Sequence, residues 1–138
     1  MERDLRFGSE QEELILPILS QYFGEDISKA GKYSKYDFYS PTSYYELKSR
    51  NVSLGKYPTT LLPADKIQDC DKSQRFVFNF TDCIGYIEYD KELFDLFDTN
   101  DFRRHRVGVY DKKKPYVYIP TDKLIQIPRN NPVITTLV

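Results

Sequence analysis

Apolar residues near the start of the chain recur at helical spacing. Four of them follow Glu12 at three, four, seven and eleven positions: Ile15, Leu16, Leu19 and Phe23. Such spacing gives one apolar face on a helix. We predict a helix over residues 9–23 that ends at Gly24. Ser9 would be its N-cap, and Glu12, three residues later, would complete a capping box. Pro17 lies inside this range, where we expect no more than a kink.

The pattern changes to an extended one from Tyr33. Aromatic-rich runs at 36–39 and 44–48 flank a Ser-Pro-Thr-Ser segment, which predicts a β-hairpin. Within the second run, Glu46 and Lys48 are two positions apart and therefore share one face of a strand, opposite Tyr45 and Leu47. A charged pair of this kind is typical of a solvent-exposed strand face.

The remaining pattern predicts further short elements. A loop is expected over 51–63 and a short helix over about 63–71. Strands are expected over 75–80 and 83–89 with a two-residue turn between them, a helix over 91–97, and strands over 106–110 and 116–119. This order predicts a single α/β domain over residues 1–138, with a mixed central β-sheet flanked by helices.

Composition narrows the class of protein. Of 138 residues, 40% are hydrophobic and 15% aromatic, which excludes a disordered chain. No apolar run is long enough to span a bilayer, and no secretory signal is visible, so we expect an intracellular, cytoplasmic or nuclear protein of host or viral origin without a membrane partner. The lone His105 and the two cysteines Cys70 and Cys83 argue against histidine-based triads and zinc sites.

Charge is segregated along the chain although the net charge is only −1. Residues 1–28 carry −5 and residues 76–101 carry −6, whereas residues 29–75 carry +4 and residues 102–138 carry +6. Blocks of this size can form a basic groove and an acidic face on one small domain. Solvated surface charge without a partner is the alternative.

Three residues of the predicted hairpin suggest a chemistry. If Asp37 and Glu46 lie on adjacent antiparallel strands near the same end, their carboxylates can share a hard divalent cation such as Mg²⁺ or Mn²⁺. Lys48 would then orient or deprotonate the attacking water. Glu12 would add a third carboxylate from the helix side of the sheet, although Glu10 and Glu13 compete for that role. A surface ion pair on a hairpin edge is the alternative.

This ordered set resembles the PD-(D/E)XK nuclease superfamily, whose members share the restriction-endonuclease-like fold. The matching positions are Asp37, the tripeptide Glu46-Leu47-Lys48 and the helix acid Glu12, within a resemblance that spans roughly residues 8–90. It is closest in pattern to small Holliday-resolvase-like and exonuclease-like members. Tyr36 stands where the family usually has proline. The resemblance implies a Mg²⁺- or Mn²⁺-dependent deoxyribonuclease with Asp37, Glu46 and Glu12 as metal ligands and Lys48 as the catalytic lysine.

Basic side chains near this motif are candidates for contacts with nucleic acid. We predict that Arg50, Lys56 and Lys66 approach the phosphate backbone of DNA. The basic stretch 103–114 is a further candidate for contact with nucleic acid, and protection of a strand edge is the alternative. Two other functions remain open: a catalytically lapsed module that binds nucleic acid or a protein, and a structural or assembly protein. The protein would act as a homodimer or be recruited by a larger complex.

Overall fold

One long helix precedes the sheets of this protein. The computed structural model describes the backbone of residues 2–102, 105–106, 109–110 and 113–129 and the side chains of residues 10–101 and 113–129. Helix α1 spans Glu2–Phe23 and contains Pro17. It ends where predicted, because Gly24 adopts a positive φ of 65°, which glycine tolerates best. It begins seven residues before the predicted start, so Ser9 lies inside the helix and the predicted capping box is wrong.

The other elements are short. Helix α2 spans Lys91–Phe94, and single 3₁₀ turns cover Ala64–Lys66 and Thr121–Lys123. The strands are, in chain order, β1 Ser28–Lys29, β2 Phe38–Tyr39, β3 Ser43–Ser49, β4 Thr59–Pro63, β5 Ser73–Asn79, β6 Ile84–Glu88, β7 Asp98–Phe102, β8 His105–Arg106, β9 Val109–Tyr110, β10 Lys114–Pro120 and β11 Ile125–Ile127.

The strands that the structure describes form three sheets. The main sheet has the order β1-β2-β3-β5-β6-β11. Only β3 and β5 pair in parallel there, whereas the other neighbours are antiparallel. A second sheet has the order β4-β10-β7, and β8 pairs with β9 in a two-stranded ribbon. The prediction of one central sheet is therefore incomplete, since the chain also builds this second sheet.

Alternation along β5 shows which layer covers each face of the main sheet. Val77 belongs to a buried cluster with Ile15 and Leu19 of α1. Its neighbours Phe76 and Phe78 belong to a second cluster, which includes residues of β4 and β10. Successive side chains of a strand point to opposite faces. Helix α1 therefore covers one face of the main sheet, and the second sheet covers the other.

Several predicted elements need correction beyond residue 50. The predicted loop 51–63 contains β4, whose pairing with β10 joins segments far apart in the chain. The predicted helix 63–71 is only a 3₁₀ turn, and the predicted helix 91–97 ends at Phe94. Strands β7 and β11 were not predicted. Of the predicted strand 106–110, residues 107 and 108 lie outside the described residues, and the others belong to β8 and β9, which pair with each other.

The predicted hairpins, by contrast, are confirmed. Strands β2 and β3 pair with Phe38 opposite Tyr45. Strands β5 and β6 pair with Asn79 opposite Ile84 and leave a short turn between them. The chain is a mixed α/β protein with a mixed sheet and few helices; a sheet, rather than a predicted flanking helix, covers one face. No helix among the described residues is long and apolar enough to cross a membrane.

Candidate functional site

The β2–β3 hairpin brings Asp37 beside Glu46. Because Phe38 lies opposite Tyr45, the preceding residue Asp37 lies next to Glu46 on the neighbouring strand. Its backbone N–H donates to the carbonyl of Tyr45 at 3.0 Å. The backbone of β2 offers no partner to the next N–H of β3, and the Asp37 side chain takes that place. The N–H of Leu47 donates to Oδ2 of Asp37 at 2.7 Å. The short hairpin therefore fixes the Asp37 carboxylate against the exposed edge of β3.

Glu46 lies on the face of β3 that the second sheet covers. Its side chain is 4% exposed, so the expectation of a solvent-exposed strand face is wrong. Oε1 of Glu46 contacts Nζ of Lys48 at 3.3 Å and Nζ of Lys66 at 3.2 Å. Oε2 is buried and has no hydrogen-bond partner. A buried carboxylate oxygen without a partner is costly, and such atoms in native proteins call for an explanation.

Helix α1 supplies a further carboxylate from the opposite side of the sheet. Glu12 lies on the same helical stripe as Ile15 and Leu19, which are buried against the sheet. It makes an ion pair with Lys29 of β1 at 3.3 Å and lies close enough to Asp37 for that carboxylate to raise its pKa. Glu10 and Glu13 are exposed. The helical phase therefore directs Glu12, of the three acids considered, towards Asp37.

Burial and the charge of Asp37 shift the pKa values of Glu12 and Glu46. Burial raises the pKa of Glu12, and the negative charge of Asp37 raises it further. Burial also raises the pKa of Glu46, again with a contribution from Asp37 that Lys48 and Lys66 oppose. Burial lowers the pKa of the Lys48 ammonium group. Displaced pKa values in neighbouring acids and a lysine, here Glu12, Glu46 and Lys48, are common at functional sites.

Asp37 and Glu46 offer oxygen ligands of the kind that a hard divalent cation prefers. Among the described residues, no group of three or more histidine, cysteine, aspartate or glutamate side chains is arranged so that it could hold a metal ion. Mg²⁺, however, usually keeps several waters and binds to proteins through one or two carboxylates. Asp37 and Glu46 provide two, and the buried Oε2 of Glu46 is an acceptor without a partner. These residues therefore fit a cation that is only partly coordinated by protein.

A groove of about 720 Å³ opens beside Lys48. Its walls come from the end of β3, the following loop, β4 and the start of β10. Four basic residues line it: Lys48, Arg50, Lys66 and Lys114. None of the described lining residues is acidic. The two basic segments of the sequence, 29–75 and 102–138, thus both contribute to this groove, which we call the cationic groove.

The three residues predicted to contact nucleic acid occupy different positions. Lys66 lies in the site itself, where it contacts Glu46 and donates to the carbonyl of Lys35 at 3.3 Å. Arg50 lines the cationic groove and is also bonded to β4, through the carbonyl of Leu61. Lys56 is exposed on the loop between β3 and β4 and does not line the groove. Much of the basic stretch 103–114 lies outside the described residues.

Lys29 is the residue near the site that the sequence did not indicate. It stands in the two-residue strand β1, whose pairing with β2 places it opposite Phe38. Its distance from Glu12 along the chain and its sequence neighbours do not predict the ion pair that it forms with Glu12. Only the order β1-β2-β3 in the sheet could have predicted it.

Comparisons with known proteins identify no relative of this chain. No family model, no curated protein and no solved structure matches this chain. The case for a function therefore depends on the residues and their geometry.

Proposed function

We propose that this protein is a nuclease of the PD-(D/E)XK type with a restriction-endonuclease-like fold. It uses Mg²⁺ or Mn²⁺ to hydrolyse phosphodiester bonds in nucleic acid, and DNA is the expected substrate. The observation that carries the proposal is the state of Glu46. This carboxylate is buried and has two lysines on one oxygen and no partner on the other. A site built only for stability would satisfy both oxygens.

Asp37 and Glu46 are the residues that would hold the cation, with Glu12 as a further ligand or base. When bound, such a cation lowers the pKa of a water and offsets charge on the phosphodiester. The protein contributes rigidity. Asp37 is fixed by the N–H of Leu47, and Glu46 is part of the same strand as that N–H. The backbone of β3 therefore holds the Asp37 carboxylate, and Lys48 and Lys66 hold one oxygen of Glu46, before any ligand arrives; preorganisation of this kind favours catalysis.

Lys48 would position the attacking water or remove its proton. Its Nζ lies 3.3 Å from Oε1 of Glu46 and lines the cationic groove, so it adjoins both the carboxylates and the space where a phosphodiester would enter. Burial lowers the pKa of Lys48, and this favours the neutral amine that a general base requires. Lys66 contacts the same oxygen at 3.2 Å, so Glu46 has a second basic partner besides Lys48.

A cleavage assay tests the proposal. Linear, circular, single-stranded and branched DNA would be incubated with the protein in Mg²⁺, Mn²⁺ or EDTA, beside the Lys48→Ala protein. We expect metal-dependent cutting that the substitution abolishes. No cutting of any substrate with either metal would contradict the proposal. Binding of nucleic acid without cutting would instead favour the lapsed binding module.

A further inference from the structure

From the cationic groove we infer that the protein binds an unpaired nucleic-acid strand, whose backbone lies along Lys48, Lys66 and Lys114 and whose first base beyond the site stacks on Tyr57. The inference deepens the proposed function, because it assigns the form of the substrate that reaches the Asp37–Glu46 carboxylates. Three properties of the groove carry it: its charge, its size and its exposed aromatic residue.

The charge of the groove matches a phosphate backbone. Lys48 and Lys66, which both contact Glu46, line the groove together with Lys114 of β10. Arg50 also lines it, and its Nε donates to the hydroxyl of Thr60 at 3.3 Å. Since none of the described lining residues is acidic, an anion entering the groove meets cations from both sheets. Clefts lined by charge of one sign concentrate ligands of the opposite sign.

The size of the groove favours a single strand over a duplex. About 720 Å³ is within the range of about 300–1,000 Å³ that holds a compact small molecule. A few nucleotides of one strand fit such a volume. A duplex does not, because its major groove alone is about 12 Å wide. A duplex is therefore expected to contact fewer of the lining residues than a single strand.

Tyr57 supplies a surface for an unpaired base. Its side chain is 56% exposed although it lines the groove, and it belongs to the loop that precedes β4. The loop is anchored behind it, since the Thr121 hydroxyl donates to the carbonyl of Pro58 at 3.2 Å. Exposed aromatic rings beside a cationic channel are how many proteins hold single strands, because every base has a face that stacks. A base in a duplex is already stacked and paired and cannot use this ring.

Binding measured by fluorescence anisotropy in EDTA tests the inference without any cleavage. The probes are a labelled single-stranded DNA, a single-stranded RNA of the same sequence and a blunt duplex of that sequence. We expect either single strand to bind at least about tenfold more tightly than the duplex. Tyr57→Ala should weaken single-strand binding about tenfold, as removal of one stacking platform does. Lys114→Gln should reduce the slope of log affinity against log salt by about 0.7.

Matched controls lie outside the groove. Tyr39 is 43% exposed and stands towards the opposite end of the β2–β3 hairpin, so Tyr39→Ala should leave binding unchanged. Lys91 is an exposed helix lysine paired with Asp95, and Lys91→Gln should leave the salt dependence unchanged. Thermal unfolding checks that each variant is folded. Comparison of the DNA and RNA strands shows which sugar the groove accepts.

Two outcomes overturn the inference. One is duplex binding as tight as single-strand binding, and the other is equal binding by the wild type and the groove variants. The result is independent of the nuclease proposal. A protein that cuts duplex DNA without single-strand binding keeps the proposed function and loses this inference. A protein that binds single strands through Tyr57 but cuts nothing keeps this inference and loses the proposed function.

Discussion

Two glutamates beside the β2–β3 hairpin have opposite surroundings. Glu25, just after α1, is surrounded by donors: the Ser40 hydroxyl at 2.9 Å, the Tyr45 hydroxyl at 2.6 Å, the Thr42 hydroxyl and a guanidinium N–H of Arg75 at 3.4 Å. Glu46 is more deeply buried, yet both of its ionic contacts converge on one oxygen and the other oxygen has none.

Their pKa values shift in opposite directions for this reason. Hydrogen bonds from the Thr42 and Tyr45 hydroxyls lower the pKa of Glu25, because they stabilise its charged form. Burial raises the pKa of Glu46, because its charged form loses hydration that Lys48 and Lys66 replace only in part. The comparison distinguishes a carboxylate that stabilises the fold from one whose surroundings do not. Glu25 joins the end of α1 to the hairpin, whereas the arrangement around Glu46 costs stability and requires an explanation beyond the fold.

The largest expected contrast is in activity. Asp37→Ala should lower the cleavage rate by about a hundredfold or more, because it removes one of the two carboxylates that would hold the cation. Glu25→Gln should cut at nearly the wild-type rate at a temperature where it is folded. Cleavage rates under single-turnover conditions measure both. Equal losses in the two variants would mean that the two carboxylates do not differ in the way that we infer.

The next contrast is in stability. Glu25→Gln should lower the free energy of unfolding by about 1–3 kcal/mol, because it weakens hydrogen bonds to a charged group and leaves Arg75 with a neutral partner. Glu46→Gln, measured in EDTA, should change the stability less, because relief of the buried charge offsets the loss of the ion pairs with Lys48 and Lys66. Urea unfolding of both variants at pH 7 provides the comparison. A destabilised Glu46→Gln with an unaffected Glu25→Gln would reverse the assignment.

The smallest contrast is in pH dependence. The lowered pKa of Glu25 gives stability that is present above its unfolded value of about 4.5 and is lost as pH falls through the folded value. The raised pKa of Glu46 has the opposite sign: its cost is present at neutral pH and disappears as pH falls towards 4.5.

Unfolding curves in EDTA across pH 3–8 should therefore separate the variants. Any advantage of Glu46→Gln over the wild type should shrink between pH 7 and about pH 4.5, whereas the deficit of Glu25→Gln should shrink only below about pH 4.5. Parallel curves for all three proteins would show that neither carboxylate has a displaced pKa.

The sequence predicts local features of this molecule better than long-range ones. The stripe from Glu12 to Phe23 places Glu12 correctly because a helix has a fixed period. The hairpin register follows from the short turn between two aromatic runs, and it brings Asp37 to Glu46. Both are properties of neighbouring residues.

The burial of Glu46 could not be predicted in the same way. It depends on β4 and β10, which pair with each other although Leu62 and Val117 are far apart in the chain. Nothing near Glu46 indicates that a second sheet covers its face, so the sequence alone predicts an exposed pair with Lys48. Charge segregation predicts that a basic groove can form but not where it lies, because Lys114 reaches the groove only through this pairing.

Calorimetric titration of the protein with Mn²⁺ tests the central claim most directly, because it concerns the carboxylates themselves and needs no substrate. We predict one binding event in the wild type and in Glu25→Gln, and its loss in Glu46→Gln and Asp37→Asn, with all four proteins shown to be folded. Absence of Mn²⁺ binding in the wild type, or binding that survives in Glu46→Gln and Asp37→Asn, would contradict the claim that this pair of carboxylates holds a catalytic cation.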